Sequence, residues 1–102
     1  MKLQITVLQE TNTVQLAGDL DLYNVEAARD ALVRHLTGKG ALEFDLSGVE
    51  TCDASGIQLL VAARRSALAL GKGFSIHPPA PALEKCRELL GLLPESLQPH
   101  QP

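Results

Sequence analysis

Tryptophan is absent from this 102-residue chain, tyrosine occurs once and phenylalanine twice. Its core must therefore be built from Leu, Val, Ile and Ala. An excess of positive charge is also lacking. Nine Lys and Arg face twelve Asp and Glu, a net charge of −3, which argues against nucleic acid as a partner. Only two cysteines occur, Cys52 and Cys86, far apart in sequence and without metal-ligand spacing. They read as buried apolar thiols. No run approaches the ~18 apolar residues that cross a bilayer, so direct membrane insertion is not expected. Met1-Lys2 leads straight into alternating Leu3, Ile5 and Val7, with no signal-peptide pattern. The motifs G-x-S-x-G, the P-loop lysine and H-E-x-x-H are missing too. These absences lead us to expect a soluble, cytoplasmic, non-enzymatic protein without metal or cofactor. About 100 residues suit one domain with one core.

What is present is a regular alternation of patterns. Leu3 to Leu8 and Thr13 to Ala17 alternate apolar and polar residues around the polar break Glu10-Thr11-Asn12, the mark of a hairpin. Asn24 is placed to cap a helix in which Val25, Ala28, Leu32 and Leu36 share a face. Gly38 and Gly40 end it. Ala41 to Leu46 reads as a short strand, followed by a turn at Ser47-Gly48. Ser55 to Leu70 is the longest helical pattern, Phe74 to His77 a fourth strand, and Pro78 to Pro81 a stiff connector. Leu83, Cys86 and Leu90 line a last helix. The order β-β-α-β-α-β-α predicts an α/β fold: a small mixed four-stranded sheet, an N-terminal hairpin then parallel strands, with helices mainly on one face. Residues 1–93 form the expected domain, and 94–102 a frayed tail.

The stretch Asp53-Ala54-Ser55-Gly56 draws attention because polar caps meet a broad apolar helix there. Gly56, Leu60, Ala63, Ala67 and Leu70 fall on one face; the small residues among them permit close approach to a sheet. Ile57, Val61 and Leu68 form a neighbouring stripe with Arg64. The apolar arc spans roughly 200°, wider than a surface helix requires. Two readings stand: the third helix covers the extra stripe, or Ile57, Val61 and Arg64 face a partner. Ser55 has two readings as well. With Gln58 it has the spacing of a capping box, worth about 1 kcal/mol. If Asp53 is the cap instead, the Ser55 hydroxyl points outward from the first turn, where a phosphate is tolerated. Asp19 and Asp21, two apart, read as solvated loop carboxylates or, less simply, as a cation or acid–base pair. A nucleophilic role for Ser55 would need His35, His77 or His100 by tertiary contact.

Three segments together carry a resemblance. Gly18-Asp19-Leu20-Asp21 is similar to a G-E-L-D motif. Asp45-Leu46-Ser47-Gly48-Val49 followed by Asp53-Ala54-Ser55-Gly56-Ile57 is similar to D-L-S-x-V…D-S-S-G-L. Leu89-Leu90-Gly91-Leu92 is similar to the end of a last helix. In this order and spacing the chain, from about Leu3 to Leu93, resembles the STAS domain, the fold of bacterial anti-sigma factor antagonists. The resemblance implies a switch. The unmodified antagonist binds an anti-sigma factor that is also a serine kinase, phosphorylation of the second serine of D-S-S-G ends binding, and a serine phosphatase resets it. That serine matches Ser55. Asp21 and Asp53 match family aspartates near the phosphosite; Gly56 is expected to support it, and Ala54, Ile57, Val61 and Arg64 are the expected partner-binding residues. Ala54 departs from the motif by replacing its first serine. Other STAS proteins are accessory subunits of lipid-transport ABC systems, with the hydroxyl at the position of Ala54, or partners in chemotaxis-linked complexes, which Asp21-Leu22-Tyr23 resembles.

Overall fold

Each stretch of alternation or helical spacing becomes one element of the computed structural model, which describes residues 2–8, 10–36, 38, 40–76, 80–92 and 97–101. The elements are β1 (Gln4–Leu8), β2 (Thr13–Leu20), α1 (Val25–Leu36), β3 (Leu42–Cys52), α2 (Ala54–Ala69), β4 (Phe74–Ile76) and α3 (Pro81–Leu89). The strands form one sheet in the order β1-β2-β3-β4. β1 and β2 pair antiparallel; β2–β3 and β3–β4 pair parallel. Asn12 makes the hairpin tight. It takes a left-handed φ of 56°, which asparagine tolerates, and its side-chain amide donates to the Ala41 carbonyl.

β3 departs from the expected short strand. It does not turn at Ser47-Gly48 but continues to Cys52. Two register irregularities against β2 explain why the alternation stops. Gln15 faces Asp45 but Ala17 faces Gly48, so one extra β3 residue bulges; Gly18 faces Val49 but Asp19 faces Thr51, so a second does. After Leu42, Phe44 and Leu46, buried or half-buried positions recur at Val49 and Cys52, every three residues instead of two. At the first bulge the Asp45 carboxylate accepts from the Ser47 amide and hydroxyl, at 3.0 and 2.6 Å.

Helices lie mainly on one face. α2 is central: it packs on β3 and β4 and touches α1 on one flank and α3 on the other. This placement accounts for its broad apolar arc. Gly56, Ile57, Leu59, Leu60, Ala63 and Ala67 are all buried. The core is mostly aliphatic, as the composition requires, with one tilted ring contact between Phe44 and Phe74 (centroids 5.8 Å apart). Pro81 opens α3, where its missing N–H costs nothing. α3 also buries Arg87, whose guanidinium bonds the Glu84 carboxylate and the Leu92 carbonyl. Leu70 and Leu90, expected on apolar faces, sit instead at helix C-caps and are exposed.

The expectation of a frayed tail fails for residues 97–101. Leu97 is buried in the core, and His100 pairs with Phe74 through two backbone hydrogen bonds of 2.7 Å. Arg64 donates from Nε to the Gln98 carbonyl at 2.9 Å. The tail thus extends the sheet beyond β4, recovering backbone bonds that an open edge would leave to water. Residues 93–96, His77 at the expected end of the fourth strand, and Pro78 and Pro79 of the expected connector lie outside the described residues. No helix among the described residues is long and apolar enough to cross a membrane.

Candidate functional site

Asp53 closes β3 and starts α2. Its backbone is extended (φ −113°, ψ −173°), the conformation of an N-cap. Its Oδ1 accepts from the amides of Ser55 (2.9 Å) and Gly56 (3.2 Å), and its Oδ2 from the amide of Leu22 (3.0 Å). One carboxylate therefore fixes the helix start and the loop between β2 and α1. The capping box is not formed: Ser55 lies inside the helix, two residues after the cap. Its side chain is half-buried, and among the described residues its hydroxyl makes no hydrogen bond.

Asp21 shapes the neighbouring loop. Its Oδ1 accepts from the amides of Tyr23 (3.1 Å) and Asn24 (3.2 Å) and from the Asn24 side chain (3.1 Å). Asn24 stands just before α1 as expected, but its Nδ2 is spent on Asp21 and on the Asp19 carbonyl. Asp19 accepts from the Thr51 hydroxyl at 2.7 Å across the sheet. The two aspartates therefore each serve a separate local structure.

Gly56 is required where the helix meets the sheet. A Cβ there would lie 2.5 Å from the Leu20 carbonyl oxygen, 2.8 Å from Leu20 Cγ and 3.0 Å from Cys52 Sγ. Burial, with Cys86 and then Asp53 adding to it, pushes the Cys52 thiol up to about 12. Both cysteines are free thiols, and Cys86, distant in sequence, lies near enough to Cys52 to raise its thiol further.

The expected partner stripe is buried at Ile57 and half-buried at Val61 and Arg64. Ile57 has 0% exposure and belongs to the core. Val61 packs partly against that core, and Arg64 is turned to the tail. The reason is the central position of α2, whose two flanks are both occupied. Ala54, by contrast, is exposed beside Ser55. The apolar residues that do face solvent here are Leu22 and Tyr23, 65% and 92% exposed. Sequence reasoning missed them because an apolar pair in a turn has no periodicity. Next to them an open groove of about 430 Å³ runs between α1 and α2, lined by Leu22, Val25 and Arg29 on one side and Ala54, Ser55 and Gln58 on the other. Among the described residues no histidine lines it. His35 belongs to another groove, against Ile5 and Val7, and His100 to the tail.

Comparison with curated proteins finds no match. Among solved structures, the anti-sigma factor antagonist SpoIIAA in its unphosphorylated form is similar at a TM-score of 0.65 and 20% identity, over 85% of this chain and 82% of that one. A variant of RsbS from Moorella thermoacetica is similar at 0.65 and 22% identity, over 100% and 88%. A structure described as Mglu matches at 0.64 and 28% identity, over 76% of this chain but 20% of the other. These likenesses concern the fold. A family model described as "Mlab, STAS domain" matches residues 4–94, nearly the whole chain. With the mixed sheet, the bulged third strand and the Asp53-capped helix in place, this chain belongs to the STAS domain family.

Proposed function

We propose that the protein is a non-enzymatic signalling module of the anti-sigma antagonist type, switched by phosphorylation of Ser55. The carrying observation is the pairing of Asp53 with Ser55. Asp53 satisfies the helix-start amides, so the Ser55 hydroxyl is not needed for capping and lines a groove with the exposed Leu22. A serine kinase would move the γ-phosphoryl of ATP to Ser55 Oγ, releasing ADP while a kinase base takes the hydroxyl proton. The phosphate brings about −1.5 to −2 charges to the rim of the groove. A partner covering Leu22, Tyr23 and Ala54 would have to bury that charge. By the family resemblance the partner would be an anti-sigma factor with serine kinase activity, and a serine phosphatase would reset the site; the likeness in fold to a protein described as an anti-sigma factor antagonist supports this reading.

The test measures binding of wild type, Ser55→Ala and Ser55→Asp to candidate anti-sigma kinases, with mass spectrometry after incubation with ATP. Ser55→Ala should bind like wild type. Ser55→Asp should bind about 5- to 150-fold more weakly, the range of ordinary coupling energies. One phosphate should appear, on Ser55. Equal binding by all three proteins would instead fit a constitutive subunit, as in a lipid-transport ABC system, and would sink the switch.

A further inference from the structure

We infer that Arg29 is the internal counter-charge for a phosphate on Ser55, held across the groove between α1 and α2. The inference rests on the Ser55 reading and deepens it. Three observations carry it. Arg29 and Ser55 line the same groove from opposite helices, and among the described residues Arg29 is its one cationic lining residue. Arg29 is exposed and, among the described residues, has no ion pair or side-chain hydrogen bond. Asp53 cannot make room for a phosphate at the helix start, because its two oxygens are committed to three amides. A second anion beside that carboxylate is repelled, and the groove is the direction away from it.

Arginine suits the task. Its planar guanidinium offers parallel donors that match two phosphate oxygens, whereas a lysine ammonium acts as a point charge. Gln58, one turn after Ser55 on α2, adds an amide donor to the same wall. The other charged side chains of the cap, the loop before α1 and the first turn of α1 are the carboxylates of Asp53, Asp21 and Glu26. All three oppose a phosphate, which leaves Arg29 to hold it. Capture would also withdraw Arg29 from any acidic partner, so one modification would both add a negative charge to the docking surface and neutralise a positive one.

The test uses full-length protein carrying phosphoserine at position 55, installed by genetic encoding so that neither kinase nor partner is needed. Phosphorus NMR then follows its second ionisation, near pH 6 in an unperturbed group. In wild type it should fall about half a unit below that of Arg29→Gln, the size expected of an exposed ion pair. Arg29→Lys should lie between them. Equal values in all three proteins would overturn the proposal. A kinase assay that leaves Ser55 unmodified would sink the switch itself and would not move this titration.

Discussion

Replacing Gly56 by alanine sets two effects of opposite sign against each other. In an exposed helix the change is favourable by about 1 kcal/mol, because glycine loses more backbone freedom on folding. Here the new methyl group would be 2.5 Å from the Leu20 carbonyl oxygen. Ordinary carbon–oxygen contacts start near 3.3 Å, so the helix must retreat by most of an ångström. The Leu20 carbonyl is backbone, in a residue with no exposure, and it already accepts from the Asp53 amide at 3.2 Å. Retreat therefore disturbs that bond, worth about 1 kcal/mol, as well as core packing, where added methylenes cost about 1–3 kcal/mol. Subtracting the helix gain leaves a loss of about 2 kcal/mol. Urea unfolding followed by far-UV circular dichroism suits a chain without tryptophan. The midpoint should drop, and Tm should fall by roughly 8–16 °C. Gln58→Ala, on the exposed side of the same helix, should stay within about 0.5 kcal/mol of wild type. A Gly56→Ala protein as stable as wild type would show that α2 does not press on β2 as described.

Ile57→Ala should cost about 2–5 kcal/mol in the same assay, as expected of a core residue. Leu22→Ala should leave stability nearly unchanged and weaken partner binding; the opposite pattern would restore Ile57 to the surface. Cys52 should resist alkylation in the folded protein. Raising a thiol from 9 to about 12 cuts its thiolate fraction at pH 8 by about a thousandfold, and greater intrinsic nucleophilicity returns roughly twentyfold. Labelling with iodoacetamide should be about fiftyfold slower than in urea, and equal rates would contradict the burial. Because this thiol's pKa is raised on folding, it contributes stability below about pH 9 that is lost as pH rises toward 12.

The sequence made the element order legible because most elements bury only one face, so periods of 2 and 3.6 stay visible. It failed where two signals overlap. In β3 each bulge adds a residue, and Leu46, Val49 and Cys52 recur at a spacing that belongs to neither period. Ile57 looked available because its stripe exceeded what one contact needs. Periodicity counts apolar residues but cannot count neighbours, and α2 has packed elements on both flanks. The tail lacked any pattern, since a single bridge at His100 and one buried leucine are too short to show one. Asp53 was readable as a cap through its residue type and its place before an apolar run. Its second oxygen was not, because the bond to Leu22 spans 31 positions.

That second bond bears on the cost of association. Leu22 and Tyr23 are exposed on a short loop, and such side chains usually surrender conformational freedom when a partner covers them. Here the backbone beneath them is already fixed by Asp21 and by the far oxygen of Asp53. Much of the ordering entropy is spent during folding, before any encounter. A docking loop prepared in this way lets a small contact area yield a larger share of its attraction as affinity.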